Sequence, residues 1–241
     1  MNNLTDRSFW EKYWENYQYQ KIPQKMFFDK YIPNESSNDG KSFIEIGGFP
    51  GTMSIYFYKK FGFKVSLLDF YIDKEMVRKL ERTNNIKEGT INCIESDFFL
   101  FESDKKYDFV FSFGFIEHFE NTEDVVKRHV DLLDKNGYLL IILPNFRGLN
   151  GWIQKKFDRK NFEAHNLNSM VIKNLNNIMA ELDVNDVKIE YTKKPMIWLE
   201  PKPTLKNKIA RVFVKIFSLF LKLFPFKGRF LSPYIVVKAH K

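Results

Sequence analysis

The stretch SFIEIGGFPGTMSIYFYKKFG, Ser42 to Gly62, decides the fold of this chain. A short apolar run is followed by a glycine-rich turn, and a helical pattern then begins. Glycines let the backbone approach a ligand closely, and the first turn of a helix offers free N–H groups. The stretch therefore predicts a strand, a ligand-binding turn and a helix. The glycines of the turn are Gly47, Gly48 and Gly51.

Apolar runs alternate with helical patterns beyond this stretch. Several of the runs are apolar without alternation, as in strands that are covered on both faces. The order predicts βαβ units, and hence an α/β fold with a doubly wound, mostly parallel sheet. The predicted strands are 42–46, 64–69, 90–95, 107–113, 137–144, 187–191 and 233–241, and the predicted helices lie near 52–61, 73–82, 123–133 and 168–182. The third of these helices is expected to stop at Asn136-Gly137, and 145–167 is predicted as a loop with one helical turn at most.

Composition limits the class of protein. The 241 residues are 44% hydrophobic and 17% aromatic, as in a folded domain. Cys93 is the single cysteine, which excludes an internal disulfide and a multi-cysteine metal site, and no metal is predicted. The first residues contain no apolar run of signal-peptide length, which predicts a cytoplasmic protein.

Polar and aromatic residues follow the predicted strands where a ligand would bind. In an open α/β sheet, ligands bind beyond the carboxyl ends of the strands. Asp69 ends the second strand, and its carboxylate suits the two hydroxyls of a ribose. Asp97 and Phe98 follow the third strand and suit an adenine ring. Gly114 follows the fourth strand and leaves room for a cofactor.

This pattern resembles the class I S-adenosylmethionine-dependent methyltransferases, mainly over 42–144. That family has acid-x-Gly-x-Gly-x-Gly after its first strand. Glu45, Gly47 and Gly51 are in register with it, whereas Phe49 stands at the middle glycine and Gly48 beside it. The resemblance implies a seven-stranded Rossmann-like sheet with an antiparallel last strand, and S-adenosylmethionine as the cofactor.

The resemblance also implies roles for single residues. Glu45 would bond the methionine amino group directly or indirectly, Asp69 the ribose and Asp97 the adenine amine. The full set of expected cofactor-binding residues is Glu45, Gly47, Gly48, Gly51, Asp69, Phe70, Asp97, Phe98, Phe113 and Gly114.

Two other ligand classes fit the sequence less well. A nicotinamide-binding turn needs Gly-x-Gly-x-x-Gly, which GGFPG does not supply. Methyltransferases that act on nucleic-acid bases typically carry Asp/Asn-Pro-Pro-aromatic after the fourth strand, where this chain reads SFGF. No nucleic-acid partner is predicted.

Three residues are candidates for catalysis. His118 and His165 are candidate bases for a hydroxyl acceptor, and Glu117 would orient or charge-balance a neighbour. Many methyltransferases need only proximity, so a structural role for both histidines stays open. His129 and His240 are interpreted as a helix-surface and a terminal residue.

Two further groups of residues are interpreted from their composition. The first combines polar and aromatic side chains suited to a sugar, or to a capped loop with a core tryptophan: Asn145, Arg147, Asn150 and Trp152. The second consists of N-terminal aromatic residues at helical spacing, which are expected to pack over the sheet or cover the cofactor: Phe9, Trp10, Tyr13, Trp14 and Tyr17.

The C-terminal part of the chain is basic. The net charge is +8, and no acidic residue follows Glu200. The segment 203–225 predicts an amphipathic helix that is capped by Thr204 and ended by Pro225. Its expected polar stripe is Lys208, Arg211, Lys215, Ser218 and Lys222, and its apolar residues include Val212, Phe213, Ile216, Phe217, Phe220, Leu221 and Phe224.

This helix is too interrupted by charges to span a bilayer, so two interpretations stay open. Either it lies on an anionic membrane surface through 203–231, or it docks on the body or on a second subunit. Under the first interpretation, the cytoplasmic protein would also bind peripherally to the inner face of the membrane.

Together these observations predict an S-adenosylmethionine-dependent methyltransferase with a small-molecule, glycan or lipid-linked acceptor, O-methylated at the membrane surface. The alternatives are a quinone or phospholipid methyltransferase, or a non-catalytic S-adenosylmethionine-binding protein. The expected parts are an N-terminal helical cap (1–41), the cofactor-binding core (42–200), an inserted amphipathic helix (201–232) and the last strand (233–241).

Overall fold

Seven strands form one mixed sheet in the computed structural model, which describes residues 7–15, 17–33, 38–192, 194–202, 204–223 and 226–241. The strands are β1 (Ser42–Ile46), β2 (Lys64–Asp69), β3 (Asn92–Glu95), β4 (Tyr107–Phe113), β5 (Leu133–Pro144), β6 (Asn185–Tyr191) and β7 (Tyr234–His240). Their order is β3-β2-β1-β4-β5-β7-β6. Strand β7 runs antiparallel to β5 and β6, and the pairs among β1 to β5 are parallel. The predicted doubly wound sheet with an antiparallel last strand is confirmed.

Eight α-helices accompany the sheet in the described part of the chain. They are α1 (Arg7–Trp14), α2 (Thr52–Phe61), α3 (Lys74–Thr83), α4 (Thr122–Asp131), α5 (Leu149–Phe157), α6 (Arg159–Glu163), α7 (Ile172–Ala180) and α8 (Leu205–Leu221). Side chains cap several of them: Asp73 at α3, Asn121 at α4 and Thr204 at α8 each accept main-chain N–H bonds. Two predictions lie outside the described residues: that Pro225 ends the basic helix, and that Phe224 belongs to its apolar side.

Both faces of the sheet are covered, which explains why its strands are apolar without alternation. On one face, Phe43 and Phe111 pack with Phe57 of α2, and Leu80 of α3 belongs to the same core. On the other face, β-strand residues pack against α4 and α7 through a second core. The sheet therefore holds its carboxyl edge rigidly between two helical layers.

The prediction of a loop over 145–167 is wrong, because α5 and α6 form there. The misleading residues are polar but buried. Asn145 donates two bonds to the carbonyls of Arg229 and Ser232, and Gln154 donates to the carbonyl of Trp198. These polar side chains hydrogen-bond to main-chain groups of segments that are distant in the sequence, and local composition does not reveal such bonds.

The predicted end of the third helix is also wrong. Helix α4 ends at Asp131, and β5 already begins at Leu133, well before Asn136-Gly137. Asn136 has a positive φ of 63° and lies within β5. Its N–H donates to the carbonyl of Lys241, whose own N–H donates to the carbonyl of Gly137. The turn signal therefore marks an irregularity in β5, whose pairing with β4 shifts register between Tyr107 and Phe109.

His129 was interpreted as a helix-surface residue and is instead buried between α4 and the sheet. Its Nδ1 donates to the carbonyl of Val125, and its Nε2 lies 3.1 Å from Oγ of Ser112 on β4. Burial lowers the pKa of His129 to about 4. The ring is therefore a neutral hydrogen-bonding part of the core.

This burial predicts a pH-dependent stability. Between about pH 6.5 and 4 the unfolded chain binds a proton at His129 that the folded chain does not, so the free energy of unfolding should fall as the pH falls. Urea unfolding between pH 7 and pH 4.5 should give a shallower fall for His129→Gln than for wild type, with His240→Asn as the matched histidine control. An equal pH dependence in all three proteins would contradict the assignment.

Candidate active site

A cavity opens at the carboxyl ends of β1, β2, β3 and β4. Its floor comes from the residues that end these strands or follow them, and Trp10 and Trp14 of α1 close one side. It is lined by Trp10, Trp14, Ile46, Gly47, Phe49, Leu68, Asp69, Phe70, Ser96, Asp97, Phe98, Gly114, Phe115, His118 and Phe119.

The glycine turn after β1 forms one wall, and close contacts require glycine at two positions. Gly47 has a φ of 66°, and a Cβ there would lie 2.0 Å from a ring carbon of Phe115. A Cβ on Gly48 would lie 2.0 Å from the carboxyl carbon of Glu45. The turn is therefore packed from both sides, by the aromatic wall of the cavity and by the acid beneath it.

Glu45 lies under this turn and does not line the cavity. Its Oε2 accepts bonds from the main-chain N–H and the hydroxyl of Ser54, at 2.7 and 2.6 Å. Burial raises the pKa of Glu45 to about 8. The side chain thus joins β1 to the first turn of α2, which supports an indirect role towards a cofactor and gives no support to a direct one.

Asp69 lines the cavity and also holds the turn. Its Oδ2 accepts from the N–H of Phe49 at 3.0 Å, and its Oδ1 accepts from the N–H of Tyr71 at 3.3 Å. Burial raises the pKa of Asp69 to about 6. Each carboxylate oxygen has a second lone pair, so a ligand hydroxyl can still bond to it.

Phe49 takes the place of the middle glycine of the family pattern, and its surroundings explain how. Its N–H is the donor to Asp69, and its ring lies edge-on to Trp14 and Tyr71, with centroid distances of 5.7 and 5.5 Å. The ring therefore joins the glycine turn to α1 and to the segment that follows β2.

The region after β3 supplies a second acid and an aromatic face. Asp97 Oδ1 accepts from the N–H of Phe99 at 2.7 Å, which shapes the bend. The ring of Phe98 is buried against Phe115, with Arg128 5.8 Å from its centroid. Phe70 stands at the mouth, 41% exposed.

The structure brings together most of the predicted cofactor-binding residues. The residues that line the cavity are Gly47, Asp69, Phe70, Asp97, Phe98 and Gly114. Glu45, Gly48 and Gly51 lie in or below the turn, and Phe113 packs elsewhere, against Phe27 and Tyr234. Sequence reasoning missed Phe115 and Phe119, whose only signal was their place beside Glu117 and His118 in the segment after β4.

The three candidate catalytic residues form one cluster. One carboxyl oxygen of Glu117 and one ring nitrogen each of His118 and His165 lie within 4.8 Å of one another. The Nδ1 atoms of the two rings lie 3.0 and 2.6 Å from the main-chain carbonyls of Ala164 and Asn161, respectively. Carbonyls only accept, so both Nδ1 atoms carry the proton and both Nε2 atoms keep a lone pair.

The environment keeps this cluster uncharged. Burial lowers the pKa of His118 to about 3, helped by His165, and burial lowers the pKa of His165 to about 4. Burial raises the pKa of Glu117 to about 8. Both carboxyl oxygens of Glu117 are buried and have no hydrogen-bond partner among the described residues.

An aromatic ring lies against each histidine of the cluster. Trp10 lies edge-on to His118 at 5.3 Å, and the ring of Phe146 lies 4.6 Å from that of His165. Trp198 in turn lies 6.0 Å from Phe146. The polar atoms of the cluster therefore have little contact with water except through the cavity that His118 lines.

A family model described as a methyltransferase domain matches residues 9–189. The chain belongs to this methyltransferase family. A search of curated proteins finds no match.

Solved structures share the fold of this methyltransferase. A phosphoethanolamine N-methyltransferase 2 of Haemonchus contortus, in complex with phosphomonomethylethanolamine and S-adenosylhomocysteine, gives a TM-score of 0.62 at 15% identity, over 89% of this chain and 51% of that one. This chain thus spans about half the length of that enzyme. An S-adenosylmethionine-dependent methyltransferase from Archaeoglobus fulgidus gives 0.53 at 20% identity, over 84% and 86% of the two chains. The plantazolicin methyltransferase BpumL, with S-adenosylhomocysteine and a substrate analogue, gives 0.52 at 15%, over 83% and 76%.

The family match and the fold confirm the predicted methyltransferase with a class I, Rossmann-like fold. The cavity fits S-adenosylmethionine, the predicted cofactor, by its donor set, since a partly buried carboxylate, a second acid and aromatic faces follow successive strands. No helix in the described residues is long and apolar enough to cross a membrane.

Asp69 gives a test of cofactor binding. Asp69→Asn keeps an oxygen for the N–H of Phe49 but replaces the other acceptor with an NH₂ group and removes the charge. We expect the affinity for S-adenosylhomocysteine to fall about tenfold or more in titration calorimetry, as for a lost hydrogen bond to a charged group. Asp104→Asn, the same change on an exposed loop, is the control. Equal affinities in wild type and Asp69→Asn would remove Asp69 from the cofactor site.

Proposed function

We propose that this methyltransferase O-methylates a hydroxylated acceptor that is presented at a membrane surface, with a sugar on a lipid carrier as the first acceptor to test. The observation that carries the chemical part is the cluster of Glu117, His118 and His165, which meets the cofactor cavity at His118. The observation that carries the membrane part is the exposed surface of α8.

The cofactor contacts follow from the cavity. Asp69 would accept hydrogen bonds from the ribose hydroxyls, Asp97 would accept one from the adenine amine, and Phe98 would pack on the adenine ring. Trp10 and Trp14 would cover the bound cofactor from α1. Glu45 would act from below, through the position of the glycine turn.

The residues of the cluster receive the acceptor. When bound, S-adenosylmethionine would supply an electrophilic methyl group. A free Nε2 lone pair of the cluster would accept a hydrogen bond from the acceptor hydroxyl and hold the acceptor oxygen towards that methyl group. The cluster would take up the proton that the hydroxyl loses on methylation. The bordering aromatic rings keep water from competing as the acceptor.

Helix α8 docks on the body by one face only. Ala210, Val214 and Leu221 pack against Ile153, and against 197–199, in a small apolar core. Ser218 was predicted in the polar stripe, but it lies on this docked face and accepts from the N–H of Ile197 at 3.2 Å. The rest of the helix surface faces outward.

The outward surface divides into an apolar side and a cationic side. Ile209, Phe213 and Phe220 stand on the apolar side, where they form a groove with Trp152 of α5. The cations Lys208, Arg211, Lys215 and Lys222 line the other side of the helix. Phe213 is 68% exposed, and Phe226 and Phe230, which follow α8 in the chain, are also largely exposed.

A bilayer with anionic lipid is the occupant that this surface fits. Apolar side chains would enter the acyl boundary while the lysines meet phosphate groups. A protein partner would not require that every charge after Glu200 be positive. Trp152 belongs to this groove and is 56% exposed, so its interpretation as a core tryptophan is wrong. Asn145 donates to main-chain carbonyls and Oδ1 of Asn150 accepts from the N–H of Trp198, away from the groove.

His118 gives the test of catalysis. We expect His118→Ala to lower turnover about 100-fold, because the acceptor loses a proton acceptor beside the cofactor, while S-adenosylhomocysteine affinity changes little. The measurement is transfer of label from S-adenosylmethionine into a lipid and glycan extract. His240→Asn, at the opposite edge of the sheet, should keep wild-type turnover. Near-normal turnover in His118→Ala would exclude His118 as the proton acceptor. Label found on headgroup amines instead of hydroxyls would show that the acceptor is an amine and overturn the O-methylation.

The surface of α8 gives the test of membrane binding. Co-sedimentation with phosphatidylglycerol vesicles should fall about tenfold or more for Lys208→Gln/Arg211→Gln/Lys215→Gln, since each cation near an anionic surface contributes about 1 kcal/mol. Phe213→Glu/Phe220→Glu should also lose binding, whereas Leu100→Glu, at an exposed site elsewhere, should keep it. Unchanged binding in both multiple variants would contradict the proposal.

A further inference from the structure

We propose that Glu117, His118 and His165 bind one divalent transition-metal ion, with Zn²⁺ as the first candidate. The sequence predicts no metal, because a single cysteine excludes multi-cysteine sites. A site built from histidine and carboxylate needs no cysteine. Two histidines and one carboxylate are a common protein ligand set for catalytic zinc, with further positions left for water or substrate.

The geometry of the ligand atoms is the first support. One atom from each of the three residues lies within 4.8 Å of the other two. Zinc bonds of about 2.0–2.2 Å place neighbouring ligand atoms somewhat closer than this, so the three side chains would draw together to bind the ion.

The hydrogen bonds around the rings are the second support. Nδ1 of His118 donates to the carbonyl of Ala164, and Nδ1 of His165 donates to the carbonyl of Asn161. Histidines that bind metals usually donate their other ring N–H in this way, which fixes the tautomer and leaves Nε2 as the ligand atom. Both rings of the cluster are already held in this form.

Glu117 is the third support. Its two carboxyl oxygens are buried without a hydrogen-bond partner in the described part of the chain. A buried carboxylate in that state is costly unless a cation or donor meets it. Two Nε2 lone pairs and two buried carboxyl oxygens without partners therefore meet in one place, and a shared metal ion would bond to all three side chains.

The backbone around the cluster is organised for this purpose. Asn166, next to His165, donates its N–H to the carbonyl of Glu117 at 2.7 Å. Its side-chain Nδ2 donates to the carbonyls of Phe119 and Glu120, at 2.9 and 3.0 Å. Asn166 thus clamps the segment of His165 to the turn that carries Glu117 and His118, and the three ligands are held together before any ion arrives.

The role of the ion rests on the proposed function, whereas its binding does not. At this place, beside the cofactor cavity, a divalent ion would act on the acceptor hydroxyl as a Lewis acid and ease loss of its proton. His118 and His165 would then serve as ligands, and His118→Ala would lower turnover by removing the ion. Turnover alone therefore cannot test the site.

The experiment measures metal binding by the full-length chain. After treatment with a chelator, equilibrium dialysis against ZnCl₂ should give one ion per chain, and CoCl₂ should give a visible absorption spectrum of a low-symmetry site. Glu117→Gln and His165→Ala should each weaken Zn²⁺ binding about 100-fold or more, and Asn166→Ala about tenfold, as for the loss of an outer-shell partner. His240→Asn is the matched control and should bind like wild type. Circular dichroism and S-adenosylhomocysteine affinity establish that each variant is folded.

The outcomes separate this inference from the proposed function. Absence of stoichiometric Zn²⁺ or Co²⁺ binding by the folded wild-type chain overturns the metal site, and so does wild-type affinity in the Glu117→Gln/His165→Ala double variant. Full methyl transfer after chelation would leave the function standing and contradict a role for the ion. One bound ion without transfer to any hydroxyl would support the site and overturn the acceptor proposal.

Discussion

Two carboxylates hold the turn after β1, and the rest of the site depends on this arrangement. Glu45 bonds to Ser54 at the start of α2, and Asp69 bonds to the N–H of Phe49 across from it. The first joins the strand to the helix that follows it, and the second joins the turn to the neighbouring strand. Without these bonds the turn would lose its fixed position between the carboxyl ends of β1 and β2, and the cavity its wall.

The same constraint explains how this methyltransferase tolerates a phenylalanine where the family pattern has a glycine. The N–H of Phe49 is used by Asp69, so its backbone keeps the course of a glycine turn while its ring packs on Trp14 and Tyr71. The ring thereby anchors α1 over the cavity. The phenylalanine thus departs from the glycine motif, and its packing on α1, a helix outside the motif, compensates for the departure.

The fold was largely predictable because its signals are local. Apolar runs and intervening helical patterns give β1, β2 and β4 at their observed bounds, and the rule that ligands bind at strand ends gives Asp69 and Asp97. The failures involve contacts between distant segments. Polar residues over 145–163 form helices because they bond to main-chain groups of 197–199 and 229–232. Likewise, both His118 and His165 could be named from the sequence, but not the Asn166 clamp that brings them together.

The packing between α8 and His165 has a further consequence. Helix α8 packs on Ile197 and Leu199, the neighbouring Trp198 lies against Phe146, and Phe146 lies against His165. This connection is stiff, because packed side chains transmit displacement with little compression. In the proposed membrane-bound state it would fix the height and tilt of the cluster above the lipid plane. A lipid-anchored acceptor would then reach the cluster by lateral diffusion, and the length of its anchor would select which of its hydroxyls can enter.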